Sequence, residues 1–263
     1  MQLNMLVPLL CGLVGQSAAL TIFGKTLNSP SFLKNLAPKQ KLRVCNAYPS
    51  ESGMEVRRGS DQLTSAPIPY KSCQELSPSL KFEDKLDFHV ENGAEGSFEI
   101  SSVPSSDATM MLVVHRHDVS SLALAFESHV FANVQGTQVA VLDAYAGTAK
   151  AKTLIQAPRF LNGTRRGPAE ELEYQNVVSV NPGNYEVELQ DTDGKAESTH
   201  KFAAKDHETY IVARVGAELT HGGTYHQELM VFPSSDQEHS GTSQMTFGAL
   251  SLALASFVAT VSL

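Results

Sequence analysis

The chain has 263 residues, 42% hydrophobic and 18% charged, and its 28 acidic against 20 basic side chains leave a formal net charge of −8. That is the composition of a globular protein with an acidic surface. No basic cluster exceeds the pairs Arg57-Arg58 and Arg165-Arg166, so charge argues against any nucleic-acid partner, and the absence of Trp removes a sugar platform of stacked indoles while leaving Tyr and Phe.

Residues 1–19 are uncharged, with an apolar run from Met5 to Val14 and small residues Ser17 and Ala19 placed as at a signal-peptidase site. The segment reads as a secretory signal helix, although no Lys or Arg precedes its apolar run. Residues 20–39, with Asn28, Pro30, Asn35 and Pro38, read as an irregular linker.

From residue 40 the pattern becomes that of strands. Leu42-Arg-Val-Cys-Asn-Ala-Tyr48 predicts an opening strand, Lys85-Leu-Asp-Phe-His-Val-Glu-Asn-Gly93 an alternating one, Met110-Met-Leu-Val-Val-His-Arg116 an apolar one and Glu127-Ser-His-Val-Phe131 a closing one. The series then returns as Val139-Ala-Val-Leu-Asp-Ala-Tyr145, Tyr185-Glu-Val-Glu-Leu-Gln190, Thr209 to Val215, and Glu228-Leu-Met-Val-Phe232. In the second of these Tyr185, Val187 and Leu189 share one face and Glu186, Glu188 and Gln190 the other, as in a half-buried strand. The offset between copies is 97 at Val44 and Val141, 99 at Leu86 and Tyr185, and 101 at Phe131 and Phe232, a drift that two small insertions explain. A repeat of about a hundred residues is long enough to bury its own core. The expected fold is therefore all-β: two tandem antiparallel, Ig-like β-sandwich domains, residues 40–134 and 137–232, related by internal duplication.

Cys11 lies inside the signal, leaving Cys45 and Cys73, an even number suited to one disulfide in an oxidising compartment. Asn162-Gly-Thr164 is a sequon for N-glycosylation. At the far end, a polar spacer over 233–244 leads into an uncharged hydrophobic helix over 245–263 with nothing basic after it. Small residues, spacer and apolar tail are the three parts of a GPI-attachment signal, with Ser234 or Ser235 as the attachment residue. The alternative is a retained membrane anchor, since 19 residues at about 1.5 Å each also match one hydrocarbon thickness.

Candidate chemistry is sparse. No Gly-x-Ser-x-Gly elbow, His-Glu-x-x-His or phosphate-binding glycine loop occurs, nor a Ser-x-x-Lys set with its Ser-Asp-Asn and Lys-Thr-Gly companions, so no catalytic residue and no cofactor is assigned. His115-Arg-His117, with His89 and His129 in the same copy, could present imidazoles to a metal. A turn at Asp118 would leave them facing solvent with no carboxylate to orient a ring, and no metal site is expected. His221-Gly-Gly-Thr-Tyr-His226 reads as a hairpin turn, and the acidic run Glu170 to Glu173 as a solvated loop or strand edge.

The openings Leu42 to Pro49 and Val139 to Tyr145, with Val180-Asn-Pro-Gly-Asn-Tyr-Glu-Val-Glu-Leu189 and Tyr210-Ile-Val-Ala-Arg-Val-Gly216, resemble a widespread extracytoplasmic β-sandwich domain of uncharacterised function. The tandem arrangement after a signal is also similar to the periplasmic accessory protein family of bacterial alginate O-acetylation. Those motifs are structural, so the resemblance implies a fold and no catalytic residue. It departs at Ala146-Gly147, where the first copy has Pro49, and in the expected GPI-type tail, which would be foreign to a bacterial periplasmic protein. Two functions follow as expectations. One is a non-enzymatic secreted or surface-anchored protein that binds an extracellular polysaccharide or protein and meets the membrane through its C-terminal anchor. The other, implied by the resemblance, is an accessory part of a cell-surface polysaccharide O-acetylation machine.

Overall fold

A computed structural model describes residues 38–132, 134–157, 168–219 and 224–234. The signal segment, the sequon at Asn162, the Gly222-Gly223 turn, Ser235 and the apolar tail lie outside the described residues. Among the described residues no helix is long and apolar enough to cross a membrane.

In chain order the first half holds β1 (Gln40–Asn46), β2 (Met54–Arg58), β3 (Asp61–Gln62), β4 (Ser72–Leu76), β5 (Lys85–Val90), β6 (Ala94–Glu99), β7 (Ala108–Arg116) and β8 (Leu124–Ala132). The second holds β9 (Thr137–Asp143), β10 (Ala151–Gln156), β11 (Glu170–Leu172), β12 (Asn176–Val180), β13 (Gly183–Asp191), β14 (Ala196–Ala204), β15 (Thr209–Glu218) and β16 (Thr224–Phe232). They form 4-stranded sheets ordered β4-β1-β7-β8 and β3-β2-β5-β6 in the first half, and β12-β9-β15-β16 and β11-β10-β13-β14 in the second. Adding eight to each label of the first half yields the order of the second, so the topology recurs strand for strand.

Two details differ from the sequence reading. Each half contains one parallel pair, β1 with β7 and β9 with β15, within otherwise antiparallel sheets. The registers also shift the correspondence near the ends. Leu86 faces Phe98 as Tyr185 faces Phe202, matching the offset of 99. Leu42 pairs with Met110 and Val139 with Tyr210, so Met110 corresponds to Tyr210 and not to Thr209, a one-residue slip that exchanges the faces. Phe232, opposite Ile211, then corresponds to His129 opposite Met111, two residues short of Phe131.

The inner strands are buried on both faces. On β1 and β7, Leu42, Val44, Met110 and Leu112 pack toward the outer sheet of their own half. The alternate residues Cys45, Met111 and Val113 pack against Ala140, Leu142, Ile211 and Ala213 of the second half. Val139, Val141, Tyr210 and Val212 turn the other way into the second half's own core. The described residues thus form one compact unit of four stacked sheets with three apolar layers. Burial on both sides is why these strands read as near-continuous apolar runs, while the outer sheets alternate.

The Asn/Asp-Ala-Tyr motif that opens both halves is a turn device. Asn46 Oδ1 accepts from Tyr48 N at 3.0 Å and Asp143 Oδ1 from Tyr145 N at 3.2 Å, an Asx turn that ends the strand. Each tyrosine lies under an arginine, Arg116 over Tyr48 at 5.6 Å and Arg214 over Tyr145 at 4.3 Å.

Arg43 crosses the seam between the halves. Its side chain is 2% exposed; Nη1 donates to the Thr209 carbonyl at 2.6 Å and Nη2 to Glu75 Oε1 at 2.6 Å. Burial raises the Glu75 pKa, but the hydrogen bonds from Arg43 and Lys41 outweigh it and hold the carboxyl below its ordinary range. Lys71 pairs with Glu228 at 2.9 Å on the same border. Cys45 and Cys73, directly opposite on β1 and β4, form the disulfide with Cα atoms 4.0 Å apart.

Candidate functional site

The second half opens at one end into a cleft of about 460 Å³ between its two sheets. β9 and β12 supply Thr137 and Ser179, β10 and β11 supply Ile155 and Glu170, the turn into β13 supplies Asn181, and β13 itself supplies Tyr185. The alternation of β13 brings the Tyr185 ring to this end, where it stacks on Phe202 with centroids 5.7 Å apart and planes 25° apart. Its hydroxyl donates to the Asn181 carbonyl at 2.9 Å. The ring is thereby fixed on one side and at its tip, while Ser179, Asn181 and Glu170 stand exposed around the mouth. The first half has Leu86 at the position of Tyr185, so the aromatic wall belongs to the second half alone.

A second, shallower cleft of about 430 Å³ lies on the outer face of the first outer sheet, among Arg57, Asp87, His89, Glu95 and Ser97. Here the polar groups pair with one another: Ser97 Oγ donates to Asp87 at 2.7 Å, and His89 Nδ1 meets Glu95 at 3.0 Å. Such cross-strand pairs are what a solvated sheet face carries.

The histidines picked out by sequence do not converge. His115 sits on β7 in the seam, not facing solvent; its Nδ1 bonds the Arg116 carbonyl at 3.0 Å and its Nε2 is buried with no hydrogen-bond partner. Burial pushes its pKa below the ordinary value, against the raising effect of the backbone bond and of Glu127 and Asp143. His117, one residue past the strand, is exposed and meets Asp118 at 3.1 Å. The hydroxyls of Ser120 and Ser121 also donate to Asp118, at 2.7 and 2.5 Å. Serine and imidazole therefore share a carboxylate, whereas nucleophilic catalysis needs the imidazole between them. Asp118 organises its loop, and bonds from Ser121, Ser120 and His117 hold its pKa far below the carboxylate range. At the corresponding place, the last residue of β15, Glu218 accepts from the Thr148 amide at 3.1 Å and Tyr145 Oη at 2.8 Å, and is held down at about 2. No group of three or more His, Cys, Asp or Glu suited to a metal occurs among the described residues.

The acidic run is the edge strand β11, with Leu172 turned into the core. Ser234, proposed for lipid attachment, is a partly buried residue two positions past β16. The cleft at Tyr185 escaped the sequence reading because its lining comes from five separate strands and a turn.

No protein-family model and no curated protein matches the chain. Among solved structures it is similar to CBMbc, a family CBM26 module of Eubacterium rectale Amy13K in complex with maltoheptaose, at 8% identity over 74% of this chain and 97% of that one, with a TM-score of 0.23. A likeness of that degree carries no argument about ligand, so the cleft is read from its own residues.

Proposed function

We propose that the protein is a non-enzymatic, secreted or surface-anchored β-sandwich protein that binds a polysaccharide in the end cleft of its second half. The observation that carries this reading is the Tyr185 ring, immobilised by Phe202 and the Asn181 carbonyl beside exposed Asn181, Ser179 and Glu170. A sugar presents an apolar C–H face and a rim of hydroxyls. A fixed aromatic wall takes the first at low entropic cost, and an amide, a hydroxyl and a carboxylate take the second. The volume suits one or two sugar rings, so an extended chain would cross the mouth without being enclosed.

Glycan-array binding by the purified protein, followed by calorimetry on the best hit, tests the reading. Tyr185→Ala is expected to weaken binding about tenfold, or 1.4 kcal/mol, with Asp87→Asn in the other cleft leaving it unchanged. Equal affinity of Tyr185→Ala and the parent protein would sink the assignment. The signal and tail read from the sequence support display outside the cell. Phosphatidylinositol-specific phospholipase C is expected to shed the protein from intact cells without residues 245–263, and recovery of a tail peptide from the membrane-bound form would favour a retained anchor instead.

A further inference from the structure

Strand β8 ends the sheet β4-β1-β7-β8 and pairs on one side only. Exposed strand edges are ordinarily blunted by shortness, by Lys or Pro, or by a bulge. β8 spans 9 residues, Leu124-Ala-Phe-Glu-Ser-His-Val-Phe-Ala132, with no Lys, Pro or Gly and an unbroken register against β7. Its counterpart β16 runs into Pro233 and is tied to the neighbouring edge strand β14 where Leu229 N donates to Ser198 Oγ at 3.1 Å. In the first half β8 packs on the neighbouring edge strand β6 through Phe126 and Phe98, whose rings lie 5.7 Å apart, and further along, at Val130, a crevice of about 60 Å³ lined by Phe98, Ile100, Met110 and Val130 opens beside it. Of the large hydrophobic side chains that stand exposed among the described residues, Val130 at 42% lies on this edge and Leu122 at 45% just before it.

We propose that β8 is an interaction surface for a second copy of this chain, the two β8 strands pairing antiparallel about Ser128 to make one continuous eight-stranded sheet. The sequence of the strand is self-complementary in one register. Centred on Ser128, a two-fold axis sets Glu127 opposite His129 of the second copy, and Phe126 opposite Val130 of the second copy, each pair occurring twice. Directly opposed residues share a face of the sheet, so permitted registers differ by whole residues at the centre. Centring on Glu127 would oppose two carboxylates, and like charges directly opposite are unfavourable; any centre other than Ser128 leaves Glu127 without His129 of the second copy opposite it. A self-complementary edge of this kind is what an isologous interface requires. A two-fold pairing uses the edge of β8 in both copies, so assembly stops at two copies through this surface.

The proposal is independent of the glycan cleft, which lies in the other half. Cross-linking of the full chain on expressing cells tests it. Cys45 and Cys73 are already bonded, so Ser128→Cys introduces a thiol on the axis, and Ser97→Cys, exposed on the first outer sheet, serves as control. Mild oxidation of Ser128→Cys is expected to produce a reducible band at twice the monomer mass, at least about fivefold stronger than from Ser97→Cys. Adding Val130→Lys, with an unchanged denaturation midpoint as the check on folding, is expected to reduce that band about tenfold. A Ser128→Cys protein that stays monomeric, a band insensitive to Val130→Lys, or a product whose mass shows a different protein would each overturn it.

Discussion

Arg43 and His115 show how much the seam between the halves rests on single polar groups. Arg43 satisfies the Thr209 carbonyl and one oxygen of Glu75 from a position 2% exposed, while the corresponding residue of the second half is Ala140. Arg43→Ala would leave the buried Thr209 carbonyl without this donor and the half-buried Glu75 carboxylate with Lys41 alone, and is expected to cost about 3 kcal/mol. Arg43→Lys should recover little of that, because one ammonium cannot reproduce the fork that spans both partners. Urea midpoints at unchanged m-value check both expectations. His115 predicts a pH effect. Its folded-state pKa lies below the ordinary 6.5; above that pH it is neutral in both states, and as pH falls below it the unfolded chain takes up a proton that the folded chain resists. Stability is therefore lost on going from pH 7.5 to 5.5. A His115→Leu variant is expected to lose less over the same interval, and parallel losses in the two proteins would refute the assignment.

Strand pairs carry the next level of explanation. The Cys45–Cys73 bond closes a sequence separation of 28 between neighbouring strands, and by chain entropy its removal in a Cys45→Ala/Cys73→Ala protein is expected to cost about 3 to 4 kcal/mol, seen as a lowered denaturation midpoint. β15 differs from β7 by a bulge between Val215 and Ala217. Gly216 stands there at φ +125°, where a Cβ would come within 2.6 Å of the His226 carbonyl oxygen. At the same register the first half has Arg116, and the arginine that covers Tyr145 in the second half stands two residues earlier, at Arg214. Gly216→Ala combines a forbidden φ with a backbone clash and is expected to destabilise by about 2 kcal/mol or more, with loss of amide-exchange protection concentrated in β15 and β16.

The four-sheet stack makes the halves interdependent. Cutting the chain after Val134 would expose Cys45, Ala47, Met111, Val113 and Phe131, which in the intact chain meet Ile211, Ala213 and Met230. A fragment of residues 38–134 is therefore expected to aggregate or to bind a hydrophobic dye, and the intact protein to unfold in one transition by both calorimetry and near-ultraviolet circular dichroism. Two resolved transitions would mean that the seam contributes little. Ile211→Ala, at 0% exposure, is expected to cost about 2 to 5 kcal/mol and to lower the stability of both halves together.

Local pattern was enough to reveal the opening, alternating, apolar and closing strands of each half, their recurrence after about a hundred residues, the pairing of Cys45 with Cys73, and the polar outer faces, because alternation with period two is written into neighbouring side chains. It could not say what covers a face. Met110-Met-Leu-Val-Val114 and Thr209-Tyr-Ile-Val-Ala213 are apolar at every position or nearly so, which is the mark of a strand buried on both sides, yet whether the second side meets another half or another molecule depends on how the sheets stack. The parallel pairing of β1 with β7, the burial of Arg43 and His115, and the gathering of Thr137, Ser179, Asn181 and Tyr185 at one cleft all follow from that stacking. They join residues far apart in the chain, and no spacing between neighbours records them.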